Sequence, residues 1–215
     1  LSSCTSYDQI SKIKMKYLEF TDVEIHELKS EIIGETFEIL VKQPDPQILS
    51  LFGNKPLPVV YGTDANLSAG GYINTLEGLL LGGEIPPVLF IGIRYKLGDE
   101  PDFMQFVTSR TREFTPTEDA ENQKLMEQMT LREVKGGGAE NFLKFLTTEL
   151  RDWVSERFNV SDDTTYIGDS MGGLFGLYTL FTEPRAFKRY VIGSPWQEWN
   201  HPTTFELEES YAENN

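Results

Sequence analysis

The sequence predicts one α/β domain built on a mostly parallel sheet. Short apolar stretches that suit buried strands alternate along the chain with longer segments whose apolar residues recur at helical spacing. Two strands of alternating apolar and polar residues come first, which adds an antiparallel pair at one edge of the sheet. The 215 residues suffice for a full hydrophobic core and show no internal repeat. We therefore expect an α/β domain over residues 16–215, after a flexible segment over 1–15.

The N-terminal half supplies the first strands and one helix. Residues on either side of Gly34 predict the antiparallel pair, namely Val23, Ile25, Phe37, Ile39 and Val41. Prolines and glycine mark 44–54 as a surface loop. The apolar run 57–62 predicts a strand buried on both faces, 72–81 predicts a helix, and 88–93 predicts the next buried strand.

The C-terminal half begins with a segment, 96–138, that has no clear period and is typical of a long loop covering a binding site. The glycine run 136–138 predicts a turn before a helix rather than a phosphate loop, because no strand precedes it and no Lys-Ser or Lys-Thr follows. One amphipathic helix is predicted over 139–158. A further strand is predicted over 190–193, and a polar helix from about Thr204.

Residues 164–178 read as a strand, a sharp turn and a helix, with Ser170 at the turn. This is the context of a G-x-S-x-G nucleophile elbow, in which a strained turn presents the serine hydroxyl above the sheet. Gly168 and Gly172 suit the turn because a Cβ at either position would collide across it. The backbone N–H of Met171 would then point at an oxyanion forming on a substrate. The alternative is a glycine-rich turn with an incidental serine.

Bulk composition excludes several classes of function. Acidic residues outnumber basic ones 34 to 19, and the net charge of −15 disfavours nucleic acid and anionic membranes as partners. No apolar run is long enough to span a bilayer. A single cysteine, Cys4, and two histidines, His26 and His201, leave no disulfide and no typical zinc site, so no metal or cofactor is implied. Residues 1–4 resemble the end of a bacterial lipoprotein signal, or else Cys4 is an ordinary free cysteine.

Seven strings stand in the order of one known enzyme family, from about residue 23 to the C-terminus. They are His26–Glu31, Leu57–Asn66, Pro87–Ile93, Arg110–Pro116, Gly137–Phe142, Gly168–Gly173 and Ser194–Trp196. Together they resemble the putative-esterase branch of the α/β-hydrolases, which includes enterochelin-esterase-like enzymes, feruloyl and acetyl-xylan esterases and S-formylglutathione hydrolase. The resemblance implies an α/β-hydrolase fold and hydrolysis of a small-molecule carboxylic ester through an acyl-enzyme.

The resemblance also assigns roles to residues at the expected site. It makes Ser170 the nucleophile and the Met171 N–H one oxyanion donor. The second donor would be a backbone N–H just after the third strand, that of Asn66 or, failing that, Ala65. The family more often has glycine where Ala65 stands, and alanine fits only with a negative φ.

Each charged residue near these positions has two alternative interpretations. Asp64 would either line the site or cap the turn that follows it. Arg112 and Glu113 match a loop of the family and would also line the site, together with Arg110. A surface ion-pair cluster explains these three equally well.

The general base is the open question, because a serine hydroxyl needs a histidine held by a carboxylate. In the family the acid and the histidine follow two strands that come after 190–193, and those strands are missing here. In one reading the chain is therefore an N-terminal piece of a longer esterase and is inactive alone. In a second, His201 acts as base with Glu198 or Glu206. In a third, the chain is a non-catalytic binding or scaffold protein. His26 is assigned to a strand face, and an exposed edge at 190–193 would favour a homo-oligomer.

Overall fold

The computed structural model describes residues 22–97 and 102–214, in which six strands form one mixed sheet. The sheet order is β1-β2-β4-β3-β5-β6. The strands are β1 Val23–Lys29, β2 Thr36–Lys42, β3 Leu57–Gly62, β4 Leu89–Tyr95, β5 Val160–Asp169 and β6 Arg189–Gly193. Strands β1, β2 and β4 pair antiparallel, whereas β4, β3, β5 and β6 run parallel. The predicted architecture is confirmed, while the expected boundary at residue 15 and Cys4 lie outside the described residues.

Eight helices cover the faces of this sheet within the described ranges. They are α1 Pro46–Leu51, α2 Ala65–Leu81, α3 Phe103–Phe114, α4 Ala120–Thr130, α5 Ala139–Thr147, α6 Glu149–Arg157, α7 Met171–Thr182 and α8 Pro202–Asn214. A smaller apolar core joins α2 to one sheet face through residues such as Ile73 and Phe90. The larger core lies on the other face and holds buried side chains of α3, α5, α6 and α7.

Two helices in the N-terminal half differ from the prediction. The surface loop at 44–54 contains the short helix α1, because Asp45 caps it by accepting a hydrogen bond from the Gln47 N–H at 2.7 Å. Helix α2 begins at Ala65 rather than near residue 72. Its first turns carry small and polar residues, which hide the apolar period on which the prediction relied.

The long loop predicted over 96–138 was wrong, since α3 and α4 occupy most of it. Each helix starts at an aspartate whose side chain accepts backbone N–H groups, Asp102 for α3 and Asp119 for α4. The aromatic residues of α3 pack inward, and Phe106 and Phe114 are 2% and 1% exposed. This segment is therefore part of the core rather than a mobile cover over a site.

The helix predicted over 139–158 is two helices, α5 and α6, which break at Thr148. That residue has φ −121° and ψ −84°, outside the helical region, and it separates the two apolar faces. The turn predicted at the glycine run is confirmed, with Gly137 at φ 86° and Gly138 directly before α5.

Strand β6 lies at the edge of the sheet in the described part of the chain and pairs with β5 alone. Its Val191 is 51% exposed. Among the described residues, no helix combines the length and apolarity that crossing a membrane requires.

Candidate active site

Ser170 occupies the junction between β5 and α7, with φ 57° and ψ −116°. Non-glycine residues rarely adopt such angles, and they do so mostly where surrounding bonds hold them. Here the Ser170 N–H donates to the Gly193 carbonyl at 3.0 Å, and the Ser170 carbonyl accepts from Leu174 at 2.9 Å and from Trp196 at 3.0 Å. The strained strand-to-helix turn predicted for Ser170 is confirmed.

The glycines on either side of the serine allow a close approach that side chains would block. A Cβ on Gly168 would lie 2.4 Å from the Tyr166 hydroxyl and 2.6 Å from the Gly172 carbonyl oxygen. A Cβ on Gly172 would lie 2.7 Å from Oγ1 of Thr63. The turn is therefore tight because β5, α7 and the end of β3 touch one another at these positions.

Met171 is the first residue of α7. The first N–H groups of a helix have no acceptor within it, and the helix dipole adds partial positive charge there. The Met171 side chain is buried, and the Thr111 hydroxyl of α3 lies 3.6 Å from its sulfur. These contacts hold the Met171 backbone beside the serine, where its N–H suits the stabilisation of an oxyanion.

The segment predicted to give the second oxyanion donor lies at the same sheet edge as the elbow. Gly62 of β3 pairs with Ile167 of β5, and the Thr63 N–H donates to the Ile167 carbonyl at 3.1 Å. Ala65 and Asn66 form the first turn of α2, so Ala65 has no need of a positive φ. The Asn66 side chain is fixed by the backbone of β4, as its amide bonds both the N–H and the carbonyl of Tyr95, at 2.8 and 3.0 Å.

Asp64 takes the left-handed conformation at this turn, with φ 55°. Its side chain does not cap α2, which corrects one of the two readings. Instead, Arg110 of α3 binds both carboxylate oxygens, through Nε at 2.9 Å and Nη2 at 2.5 Å. Burial raises the pKa of the Asp64 carboxyl, and the Arg110 guanidinium opposes that rise. Asp64 is buried and the Arg110 side chain is only 15% exposed, so a surface cluster is the wrong description of Arg110.

Glu113 is also buried, at 2% exposure, whereas Arg112 is half-exposed. Arg112 Nε donates to one Glu113 oxygen at 2.7 Å, and the other Glu113 oxygen has no hydrogen-bond partner among the described residues. Burial raises the pKa of Glu113 to about 7, although Arg112 opposes the shift. Arg112 additionally pairs with Glu35 at 3.3 Å. Among the described residues, no hydrogen bond joins Arg112 or Glu113 to the elbow. That these two residues line the site therefore stays a prediction.

Within the described residues, neither histidine forms a hydrogen bond with Ser170. His201 is exposed and packs on the Phe205 ring at 5.3 Å, and within the described ranges it bonds neither Ser170 nor an acidic residue. His26 lies on β1, bonds Glu24 at 2.9 Å and packs edge-on against a tryptophan, as a strand-face residue. In the same ranges, no group of histidine, cysteine, aspartate and glutamate could hold a metal ion.

Sequence reasoning missed a pair of buried hydroxyls beneath the elbow. The Tyr166 hydroxyl donates to the Gly172 carbonyl at 2.6 Å, and the Thr63 hydroxyl lies 3.0 Å from the Tyr166 oxygen. The signal that could have found Tyr166 is the run of glycines at Gly168, Gly172 and Gly176. Gly168 and Gly176 leave room for the Tyr166 side chain, and Gly172 leaves room for Thr63.

A cavity of about 670 Å³ lies elsewhere, between α2, α1 and the start of β1. Its walls include Ile73, Leu80 and Phe90, and Ser170 is not among the residues that line it. The chemistry of the elbow is thus separate from this cavity.

Comparison with known proteins gives a family model and relatives that are described as esterases. The model of the family described as "Putative esterase" matches residues 30–215. Ferri-bacillibactin esterase BesA of Bacillus subtilis is 32% identical over 83% of this chain, and siderophore triacetylfusarinine C esterase of Aspergillus fumigatus is 29% identical over 78%. The chain spans only 60% and 53% of these two relatives.

Solved structures show the same fold. The BES protein from Bacillus cereus superposes with a TM-score of 0.72 at 24% identity, covering 94% of this chain and 72% of that one. Siderophore hydrolase EstA from Aspergillus nidulans gives 0.70 at 23% identity, covering 92% and 67%. The strained serine elbow, the sheet order and these matches agree, and the chain belongs to the Putative esterase family with its α/β-hydrolase fold.

Proposed function

We propose that the protein is a serine hydrolase of carboxylic esters that works through an acyl-enzyme on Ser170. The hydroxyl of Ser170 attacks the ester carbonyl, and the carbonyl oxygen becomes an oxyanion held by backbone N–H groups. The Met171 N–H supplies one donor, and the first turn of α2, at Asn66 or Ala65, supplies the second. The alcohol leaves with the proton that the serine hydroxyl gives up, and water then breaks the bond between acyl group and serine, which releases the acid and returns a proton to the serine oxygen. No cofactor takes part in these steps.

The observation that carries this proposal is the backbone of Ser170. Its angles, φ 57° and ψ −116°, are held by three backbone hydrogen bonds at the N-terminus of a buried helix. An incidental serine in a glycine-rich turn has no reason to retain a conformation that costs about 1–3 kcal/mol. Strain at a helix N-terminus is what a nucleophile elbow requires.

The substrate we propose is an ester-linked siderophore. This rests on the relatives, which are described as esterases of ferri-bacillibactin, triacetylfusarinine C and enterobactin. These relatives are bacterial and fungal, so they leave the source of this protein open. Hydrolysis would linearise or shorten such a molecule, and liquid chromatography with mass spectrometry would detect the product. We expect a higher kcat/KM for a siderophore ester than for p-nitrophenyl butyrate, because contacts to remote groups of the substrate stabilise the transition state.

The direct test is turnover of p-nitrophenyl butyrate by the full-length gene product, of which these 215 residues form all or part. Ser170→Ala should abolish turnover, whereas Ser161→Ala, a serine near the opposite end of β5, should leave it unchanged. Equal turnover in Ser170→Ala and wild type would contradict the proposal. Absence of turnover in the wild type, together with unaltered binding of a siderophore by Ser170→Ala, would favour a non-catalytic binding protein instead.

We also propose that the exposed edge at β6 supports pairing between copies, since it pairs with β5 alone in the described residues. Light scattering of the purified chain tests this. A dimer at micromolar concentration supports it, and a monomer at the same concentration contradicts it.

A further inference from the structure

We propose that Thr63 and Tyr166 form a hydroxyl bridge that sets the spacing of the two oxyanion-donor segments. This inference rests on the proposed function, since it concerns the same site. Thr63 directly precedes the segment 64–66, and Gly172 directly follows Met171. The bridge runs from Thr63 through the Tyr166 hydroxyl to the Gly172 carbonyl.

The direction of the two hydrogen bonds follows from counting protons. A carbonyl oxygen accepts only, so the single hydroxyl proton of Tyr166 goes to Gly172, at 2.6 Å. The Thr63 hydroxyl then donates to the Tyr166 oxygen at 3.0 Å, which is nearer than its other acceptor, the Ile167 carbonyl at 3.4 Å. Burial raises the pKa of Tyr166 well above its ordinary value, so the tyrosine keeps this proton throughout the range in which esterases work. Both side chains are fully buried, which strengthens the two bonds relative to bonds in water.

The glycines of the elbow show that the bridge is built into the sequence. A Cβ on Gly168 would lie 2.4 Å from the Tyr166 hydroxyl, and a Cβ on Gly176 would lie 2.8 Å from the Tyr166 ring. A Cβ on Gly172 would instead lie 2.7 Å from the Thr63 hydroxyl oxygen, so the three glycines leave room for both side chains of the bridge. The Tyr166 ring fills the space that side chains at Gly168 and Gly176 would otherwise occupy, and its hydroxyl supports the first turn of α7 through the Gly172 carbonyl.

This support bears on catalysis because an oxyanion hole acts through distance. Its donors must lie within hydrogen-bond reach of the oxygen as it becomes charged, and small displacements reduce the stabilisation steeply. One donor segment leaves β3 and the other starts α7, and the bridge is a side-chain link between the two. Among the described residues, the hydroxyls of Thr63 and Tyr166 bond each other and backbone carbonyls rather than Ser170, so we assign both as positioning residues.

The test compares two buried tyrosines that face each other in register, Tyr61 on β3 and Tyr166 on β5. The Tyr61 hydroxyl lies beside Arg151 rather than beside the elbow. In the full-length gene product, Tyr166→Phe should lower kcat for p-nitrophenyl butyrate about 10-fold with KM within about twofold, because the lost interaction acts in the transition state. Tyr61→Phe should leave both constants unchanged, and near-ultraviolet circular dichroism checks that each variant folds.

A second pair of variants keeps the inference testable if Tyr166→Phe fails to fold. Thr63→Val removes the hydroxyl at nearly constant shape and should lower kcat in the same way, whereas Thr63→Ser should restore it. Unchanged kcat in Tyr166→Phe and Thr63→Val, or an equal loss in Tyr61→Phe, would overturn the bridge while Ser170→Ala still abolished turnover. Full turnover in Ser170→Ala would instead overturn the proposed function, and this inference with it.

Discussion

At the scale of single residues, positive φ angles follow three neighbouring parallel strands. Asp64 follows β3 at φ 55°, Ser170 follows β5 at 57°, and Ser194 follows β6 at 38°. Each such angle costs about 1–3 kcal/mol unless the surroundings hold it. Asp64 is held by Arg110, and Ser170 by its backbone bonds to Gly193 and Trp196. Three of the seven non-glycine residues with positive φ in the described part of the chain thus lie at the carboxyl edge of the sheet, where α/β folds place their binding sites.

Glu113 leads to a prediction about stability and pH. Its pKa is near 4.5 in the unfolded chain and about 7 in the folded one, so the folded state binds the extra proton between these values. The stabilisation that comes from proton binding at Glu113 is therefore present at low pH and is lost as the pH rises through 7. We expect the stability of Glu113→Gln relative to wild type to rise by about 3 kcal/mol between pH 4.5 and pH 8, as urea unfolding would measure.

The control for this prediction is Glu208→Gln, which changes an exposed glutamate on α8. Its stability relative to wild type should stay constant over the same range of pH. If the difference in stability between Glu113→Gln and wild type also stayed constant with pH, Glu113 would have to be solvated or fully neutralised by Arg112. That result would contradict the geometry described above.

At the scale of elements, strands and helices with a regular apolar period were predictable, and those specified by caps and packing were not. The run 57–62 predicted β3 to the residue because it is continuously apolar. Helix α3 was missed although Phe103, Phe106, Val107 and Phe114 recur at helical spacing, because the polar run 108–112 interrupts this pattern and the Asp102 side chain sets the start of the helix. The elbow could be predicted from the sequence because glycines on either side of Ser170 mark its turn. The pairs Asp64–Arg110 and Thr63–Tyr166 join residues 46 and 103 positions apart, which no local pattern reveals.

Two helical glycines should respond oppositely to the same substitution. A Cβ on Gly176 of α7 would lie 2.8 Å from the Tyr166 ring, whereas a Cβ on Gly78 of α2 would meet nothing within 4 Å. We expect Gly176→Ala to lower the free energy of unfolding by about 1–3 kcal/mol through overpacking. Gly78→Ala should raise it by about 0.5–1 kcal/mol, because alanine is the better helix former. Thermal and urea unfolding of the two variants measure both signs, and a stabilised Gly176→Ala would contradict the close packing.

At the scale of the whole molecule, the described residues bring the elbow and the segment that we propose as the second oxyanion donor to one edge of the sheet, with no histidine bonded to the serine. Neither histidine bonds Ser170 within them, and His201 packs on Phe205 instead. The chain covers 60% of one esterase relative and 53% of another, and an acid and a histidine supplied by other residues stay a prediction. Family and fold were predictable from ordered strings spread along the chain, whereas the substrate was not, because no string carries it.

Activity of the 215-residue chain alone follows from this arrangement. An elbow with an oxyanion hole and no base retains about 10³–10⁴-fold acceleration over water. We therefore expect the chain to hydrolyse p-nitrophenyl acetate barely above background, with little change in Ser170→Ala. Should the chain turn over like an enzyme, His201→Ala distinguishes the cases: lost activity would make His201 the base, against our reading of its contacts with Phe205.

The most direct test of the central claim is covalent trapping of the nucleophile. The full-length gene product would be incubated with a fluorophosphonate ester, digested, and mapped by mass spectrometry. Phosphorus would form a bond to the serine oxygen with loss of fluoride, leaving one stable adduct. We predict a single adduct on the peptide that contains Ser170, loss of esterase activity in proportion to labelling, and no adduct in Ser170→Ala. An adduct on another residue that tracks the loss of activity would contradict Ser170 as the nucleophile.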